Sequence, residues 1–173
     1  MKSEDGGSTF APLTTQWRHV DDHALWIDPD NTQHLYIGGD GGIYESWDRG
    51  NTWRHLRNLS ITQFYRIQPD YVEPFYNVCG GTQDNNSLCG PSRTTNVHGI
   101  TNSDWKVVLG GDGYEPQFDP TDPNIVSAQD QYGGLARYDR QTQERVYIVP
   151  HPEKDENNYK WNWNTPLLVS PHN

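Results

Sequence analysis

The sequence predicts an all-β fold made of consecutive four-stranded antiparallel sheets. An extended apolar segment that ends near proline occurs four times, and its prolines are separated by 40, 51 and 51 residues. Each of the first three segments is followed by short runs of Val, Ile, Leu and Tyr with Gly-rich turns between them, a pattern typical of β-hairpins. No window has convincing helical periodicity. The four prolines are Pro29, Pro69, Pro120 and Pro171.

Each period has room for four strands, and repeats of this length are typical of the blades of a β-propeller. The predicted blades cover residues 22–57, 62–109 and 112–150, and one further strand is expected near each end, at residues 8–13 and 164–170. Closed propellers contain roughly four to eight blades. We therefore expect residues 1–173 to form a single partial propeller domain, a fragment whose exposed sheet edges are covered by the remaining blades or by self-association.

A second repeat lies at two predicted hairpin corners and has the pattern S-x-D-x-G-x-T-aromatic. Ser and Asp side chains accept hydrogen bonds from nearby backbone N–H groups, and Gly adopts positive φ without strain, so we expect both octets to be structural. A third corner keeps Asp139 but lacks the Gly-x-Thr-aromatic end. The pattern residues are Ser3, Asp5, Gly7, Thr9 and Phe10 in the first octet and Ser46, Asp48, Gly50, Thr52 and Trp53 in the second.

Together with the octets, three longer segments resemble the BNR or Asp-box repeat propellers, a family that includes sortilin-like domains and xyloglucanase-like glycoside hydrolases. The segments are HVDDHALWIDP at 19–29, GGTQDNNSLCGPS at 80–92 and GGDGYEPQFDPTDPN at 110–124. The resemblance implies a propeller that binds a glycan or protein ligand, or a glycoside hydrolase. Because such proteins are mostly exported or luminal, it also implies an extracellular or periplasmic location.

Composition excludes several classes of partner. The formal net charge of -10 and the pI near 4.9 argue against nucleic acid, whose binding requires Lys and Arg to neutralise phosphates. We expect no membrane span, since no stretch approaches about 18 consecutive apolar residues.

Cys79 and Cys89 flank a turn rich in Gly and Asn, so a hairpin disulfide and two free thiols both remain open. Their spacing does not fit a zinc site.

Blade geometry selects the candidate ligand-binding residues. In an antiparallel four-stranded blade, the loops between second and third strands share one face with the loops before first strands, and the octets lie on the opposite face. One acidic side chain falls in each of the three second-to-third loops, although Asp and Asn beside Gly also serve turns alone. We expect an acidic pocket for a glycan or protein ligand, with Trp26, Trp161 or Trp163 stacking on a sugar. The candidate ligand contacts are His23, Asp40, Gln83, Asn85, Gln129, Gln131, Asn162, Trp163 and Asn164.

Glycoside hydrolysis is the alternative activity. It requires two carboxyl groups, about 5–5.5 Å apart for retention or about 6.5–9.5 Å for inversion, one of them with a raised pKa. The candidates are Asp22, Asp84, Asp112 and Asp130, and sequence spacing does not select a pair among them. We expect no cofactor. Calcium is the exception we consider, because Asp21, Asp22, His23 and Asp40 offer mostly hard oxygen ligands, but no known calcium-binding pattern is present in the sequence.

Overall fold

The computed structural model describes residues 1–59 and 61–172, and within them twelve strands form three four-stranded antiparallel sheets. In every sheet the spatial order of the strands follows the chain order, which is the meander of a propeller blade. Two short 3-10 helices, Asn102–Asp104 and Gln131–Gly133, are the only helical segments of this described part. The predicted all-β class and the four-stranded blades are confirmed. The chain divides into two compact units, Met1–Ile61 and Thr62–Asn173.

Unit 1 contains one sheet, whose four strands are β1 (Asp22–Ile27), β2 (Leu35–Gly39), β3 (Gly42–Ser46) and β4 (Arg54–His55). Tyr36 in β2 lies directly opposite Glu45 in β3, and Glu45 lies opposite Arg54 in β4. Side chains that lie opposite each other on neighbouring strands are in contact range. The sheet therefore carries an aromatic, an acidic and a basic side chain in one row.

Glu45 is the centre of this row and is only 4% exposed. The Tyr36 hydroxyl donates to its carboxylate at 2.7 Å, the His34 ring lies 3.2 Å away, and the Arg54 guanidinium pairs with it. The Tyr36 hydrogen bond, followed by the contacts with His34 and Arg54, outweighs desolvation and lowers the pKa of Glu45 to about 2. His34 also stacks on Trp47, with 3.6 Å between the ring centroids. Unit 1 is thus organised around an ionised, buried carboxylate.

The two S-x-D-x-G-x-T octets adopt the same hydrogen-bonded turn. In the second, Ser46 Oγ accepts from the Gly50 N–H at 2.8 Å, and Asp48 accepts from the backbone and the hydroxyl of Thr52 at 2.8 and 2.7 Å. The first octet makes the corresponding bonds, and its hydrogen bonds from Thr9 hold the pKa of Asp5 at about 2. Both Asp side chains are therefore engaged in closing their own turns.

Unit 2 contains two sheets that pack against each other. Its apolar core lies between them and consists of Cys79, Cys89, Val108, Leu109, Phe118, Val126, Ala128, Ala136 and Tyr138. The first sheet is formed by β5 (Arg66–Pro69), β6 (Asn77–Gly81), β7 (Ser87–Pro91) and β8 (Lys106–Leu109). The second is formed by β9 (Pro116–Phe118), β10 (Ile125–Gln129), β11 (Leu135–Asp139) and β12 (Arg145–Tyr147).

Cys79 and Cys89 form a disulfide. The register of β6 and β7 places the two residues directly opposite each other, with 4.0 Å between their Cα atoms. Both are buried, with exposed fractions of 0% and 2%. The structure thus decides between the two alternatives that the sequence left open, in favour of a crosslink across the hairpin.

The terminal segments differ from the expected strands. Residues 8–13 contribute one isolated antiparallel bridge, between Lys2 and Ala11, and residues 164–170 form no strand. A strand exists only where a neighbour supplies its hydrogen-bond partners. No segment of residues 1–59 and 61–172 pairs with residues 164–170. The apolar pattern of 164–170 is therefore not sufficient for a strand.

The disulfide is expected to stabilise the hairpin by constraining the unfolded chain. For a closed loop of this size, loop-closure entropy predicts a contribution of about 3 kcal/mol. Urea unfolding of the oxidised and the reduced protein should differ by about that free energy. The variant with both Cys79→Ala and Cys89→Ala serves as the control, because a reductant should not change its unfolding midpoint. Equal stability of the oxidised and reduced protein would contradict the prediction.

Glu45→Gln is expected to destabilise unit 1 by about 2 kcal/mol at neutral pH, because the change removes the buried negative charge that accepts from the Tyr36 hydroxyl and pairs with the largely exposed Arg54. The pKa of Glu45 is about 2 in the folded chain against 4.5 for the free group, so its contribution is complete above about pH 4.5 and decreases as the pH falls towards 2. The stability difference between wild type and Glu45→Gln should therefore shrink in acid. Urea unfolding from pH 7 to pH 2.5 measures it. The exposed Glu153→Gln change should leave the profile unaltered.

Candidate ligand-binding site

Three loops meet at one end of unit 2, where β6, β8 and β10 all end. They are the β6–β7 loop at 82–86, the β8–β9 loop at 110–115 and the β10–β11 loop at 130–134. We refer to these three loops as the Asp112 cluster. Their meeting follows from the meander, because every second connection of antiparallel strands returns to the same end of the sheet.

Asp112 joins the three loops and is only 8% exposed. Its carboxylate accepts a hydrogen bond from the Asp84 N–H at 2.6 Å, and its own N–H donates to the Gln131 side-chain oxygen at 3.0 Å. The first of these bonds reaches the β6–β7 loop and the second reaches the other sheet. Asp112 therefore fixes the positions of two candidate residues, Asp84 and Gln131, relative to each other.

The β6–β7 loop is shaped by residues that tolerate left-handed backbone. Asp84 and Asn86 have φ of 56° and 74°, a conformation that Asp and Asn adopt more readily than other non-glycine residues. The N–H and hydroxyl of Thr82 both donate to the Asn86 carbonyl, and the Asn86 N–H donates to the Gly111 carbonyl at 3.0 Å. A Cβ at Gly113 would lie 2.5 Å from the Asn86 carbonyl oxygen. Only glycine permits the two loops to approach this closely.

Asp130 has a carboxyl group with a raised pKa. Burial is the main cause, and the negative charge of Asp112 adds to it. The carboxylate lies against Gly134, where a Cβ would occupy the position of the carboxylate oxygen, and the Asp130 N–H donates to the Gly134 carbonyl at 2.8 Å. The loop thus holds a carboxyl group that is more easily protonated than an ordinary Asp.

The β10–β11 loop also carries an exposed aromatic ring, Tyr132, which contacts a second exposed ring, Trp163. Tyr132 and Trp163 are 59% and 44% exposed, with ring centroids 5.0 Å apart in an edge-to-face arrangement. The Tyr132 N–H donates to the Trp163 carbonyl at 3.1 Å, and Tyr132 has a φ of 56°. Sequence reasoning named Trp163 and missed Tyr132. The available signal was its position directly after the candidate Gln131, in a Gly-rich turn.

A second aromatic contact, which sequence reasoning also missed, is made at the β6–β7 loop. The Tyr65 hydroxyl donates to the Gln83 side-chain oxygen, and the Tyr65 ring lies 5.8 Å from that of Tyr114. Asn85 donates its side-chain amide to the Gln83 carbonyl at 2.9 Å. The amides predicted in this loop are therefore organised by local hydrogen bonds.

The remaining candidates of unit 2 take different positions. Gln129, expected to contact a ligand, is completely buried, and its amide donates to the Asp130 carbonyl. Both faces of β10 are largely covered, since Ala128 and Gln129 are each 0% exposed. Gln129 therefore supports the loop from beneath, and the expectation that it contacts a ligand is wrong. Asn162 and Asn164 are exposed on either side of Trp163.

In unit 1, the predicted residues form two ion pairs. His23 Nε2 lies 2.7 Å from an Asp40 carboxylate oxygen, and Asp22 pairs with the buried Arg18. Asp22 and Asp40 are two of the carboxylates named above as possible calcium ligands. In unit 1 considered by itself, Arg18 and His23 already bind oxygens of these carboxylates that the ion would need. His23, near the start of β1, is hydrogen-bonded to Asp40, as an ordinary structural histidine would be.

Comparisons with known proteins leave the family open. No protein-family model matches the chain, and no curated protein matches it significantly. It is similar to a GH74 enzyme of Niastella koreensis, at 15% identity over 80% of this chain and 22% of that enzyme, with a TM-score of 0.36. It is also similar to an ancestral GH74 enzyme, at 13% identity over 78% and 19% of the respective chains, with a TM-score of 0.34. The chain spans about a fifth of either enzyme, and likeness at this level shows no shared activity.

Within residues 1–59 and 61–172, none of the helices has the length and apolar character of a membrane span.

Asp112→Asn is expected to lower the pKa of Asp130 towards its ordinary value. The change removes the neighbouring negative charge, and asparagine retains the side-chain oxygen that accepts from the Asp84 N–H. The burial contribution should remain, so the pKa should not fall below the ordinary value of about 3.9. Carboxyl-detected NMR titration of wild type and variant measures the shift. An unchanged or higher pKa of Asp130 in the variant would contradict the proposed proximity of the two charges.

Proposed function

We propose that the chain is a recognition module that binds a glycan at the Asp112 cluster. The observation that carries the proposal is the position of Asp112, which joins three loops and holds acidic and amide side chains at one end of unit 2, beside exposed aromatic rings. The net charge of -10 favours a ligand without phosphate groups.

The polar groups of the cluster suit sugar hydroxyls. A hydroxyl donates one hydrogen bond and accepts others, and it is recognised by carboxylates and amides that offer both functions. Asp84 and Asn85 are exposed in the β6–β7 loop, and Gln131 is partly exposed in the β10–β11 loop. Because their loops are fixed by Asp112, little conformational freedom would be lost on binding.

The aromatic rings supply the apolar part of the same surface. Tyr132 and Trp163 expose rings that are held by a backbone hydrogen bond and by each other. Exposed rings with polar edges are well suited to a ligand that has apolar C–H faces and polar hydroxyls. A pyranose ring has both.

Hydrolysis of a glycosidic bond is a second candidate, and the raised pKa of Asp130 specifically favours it. A glycosidase requires one carboxyl group that remains protonated and a second that is ionised. Burial and the charge of Asp112 raise the pKa of Asp130 in the manner expected of such an acid. We rank this activity below binding, because a raised pKa next to a second carboxylate also occurs in structural clusters.

The binding proposal is tested by affinity gel electrophoresis with soluble xyloglucan, mixed-linkage β-glucan and an uncharged non-glycan polymer. We expect at least one polysaccharide to retard the chain. Asp112→Asn should weaken binding about fivefold, because a neutral amide oxygen holds the Asp84 N–H, and with it the β6–β7 loop, less strongly than a carboxylate does, by about 1 kcal/mol. Tyr132→Ala should also weaken binding. Asp155→Asn is the matched control, since Asp155 is exposed and lies in a segment apart from the cluster.

Two outcomes would decide against the proposal. If neither polysaccharide retards the chain, the proposal that it binds a glycan is contradicted. Release of reducing ends that is abolished by Asp130→Asn and by Asp112→Asn would instead favour the hydrolase. Thermal unfolding of each variant checks that a loss of binding is not a loss of folding.

A further inference from the structure

A cavity of about 590 Å³ lies at the opposite end of unit 2 from the Asp112 cluster. Its lining residues lie at the ends of β5, β7 and β11 and at the start of β8. Both sheets of unit 2 therefore contribute to it. Its volume is within the range of about 300–1,000 Å³ that small-molecule sites occupy. None of the residues proposed to bind a glycan lines it. The inference below therefore does not depend on the proposed function.

The inner wall of the cavity is apolar. It is formed by Cys89 of the disulfide, by Val107 and Val108 of β8, and by Tyr138 of β11. Cys89, Val108 and Tyr138 belong to the core of unit 2, with exposed fractions between 0% and 7%. An apolar group that enters the cavity would therefore contact the core directly and be removed from water.

Arg140 lies at the rim and is held in place on three sides. Its Nη1 lies 3.5 Å from a carboxylate oxygen of Asp70 and donates to the Pro123 carbonyl at 3.1 Å. Its guanidinium carbon lies 5.6 Å from the centre of the Phe118 ring. In the part of the chain that the structure describes, no acceptor bonds to its Nε or Nη2. The guanidinium thus presents free donors from a fixed position.

The two acidic residues of the cavity accept hydrogen bonds from this chain, Asp70 through both carboxylate oxygens and Asp104 through Oδ2 alone. Asp70 has a completely buried side chain and accepts from the Val72 N–H and from the backbone and side chain of Asn77, at 3.1, 2.9 and 2.6 Å. Burial raises the pKa of Asp70, but these hydrogen bonds and Arg140 outweigh it, and the pKa lies below the ordinary value. Asp104 accepts from the N–H and hydroxyl of Thr101 at 2.7 and 3.0 Å.

Lys106 supplies a second cation. Its ammonium group donates to the Ser103 carbonyl at 2.9 Å, and two of its three protons remain for another acceptor. Counting charges alone, Asp70 and Asp104 balance Arg140 and Lys106. Among these four charged side chains, the unused donors of Arg140 and Lys106 outnumber the acceptor positions left on Asp104. A ligand must therefore bring acceptors at one end and an apolar body at the other.

We propose that this cavity binds a small organic carboxylate with an apolar body, whose carboxylate is held by Arg140 and Lys106. A carboxylate matches the planar fork of a guanidinium, which binds it through two parallel N–H···O contacts. The apolar body lies against Val108 and Tyr138. Asp70 acts as a positioning residue, because it fixes the orientation of Arg140 without contacting the ligand.

The test compares 3-phenylpropionate with 3-phenylpropionamide, which has the same shape without the charge, by NMR titration of the full chain. We expect the acid to bind with a Kd on the order of 1 mM, as is usual for a fragment of this size, and the amide at least tenfold more weakly. Signals of Val107, Val108 and Tyr138 should shift. Arg140→Lys should weaken binding of the acid about tenfold, because lysine lacks the fork.

Lys106→Gln provides a variant that does not endanger folding, because Lys106 is exposed. It should weaken binding of the acid about threefold and leave binding of the amide unchanged. Lys154→Gln, an exposed lysine outside the cavity, is the matched control and should have no effect. The proposal would be overturned if the acid did not bind, if acid and amide bound equally well, or if the shifted signals all lay outside the cavity. It would also be overturned if both Arg140→Lys and Lys106→Gln bound the acid with unaltered affinity.

Discussion

The hydrogen bond from the Asp84 N–H to the buried Asp112 carboxylate is the interaction on which the candidate site depends. A carboxylate that is 8% exposed must be hydrogen-bonded, because an unpaired buried charge is strongly unfavourable. This requirement fixes the β6–β7 loop against the β8–β9 loop. The Asp112 N–H then fixes Gln131, and with it the β10–β11 loop. The proximity of Asp130 to the charge of Asp112 is a consequence of this arrangement.

Much of the fold could be predicted from the sequence, because strand period and turn composition are local signals. The prolines and Gly-rich turns mark the same meander that the three sheets form. The apolar pattern failed at residues 164–170, where no partner strand is present in the described chain. A strand needs a neighbouring strand to supply its hydrogen-bond partners, so the apolar pattern of one segment does not predict a strand by itself. Gln129 is predicted on the ligand face because it precedes a Gly-rich turn, but β10 is covered on both faces and Gln129 is completely buried.

The candidate site was predictable only in outline. Loop connectivity places Asp84, Asp112 and Asp130 at one end, but the hydrogen bonds that organise them join residues 19 and 28 positions apart, and their geometry depends on register. The same holds for the pairing of Tyr36, Glu45 and Arg54, which follows from which residues lie opposite each other in β2, β3 and β4. No sequence motif predicts that network, because none of the three residues belongs to a recognisable pattern.

The two ends of unit 2 differ in which polar groups reach the surface, and this difference matters more than the number of charges. At the Asp112 cluster, the exposed groups are the Asp84 carboxylate and the Asn85 amide. At the cavity, Asn77 and Thr101 occupy acceptor positions of Asp70 and Asp104, and the donors of Arg140 and Lys106 remain. An acidic protein can therefore present a site for an anion, because backbone and amide N–H groups satisfy its carboxylates before a ligand arrives.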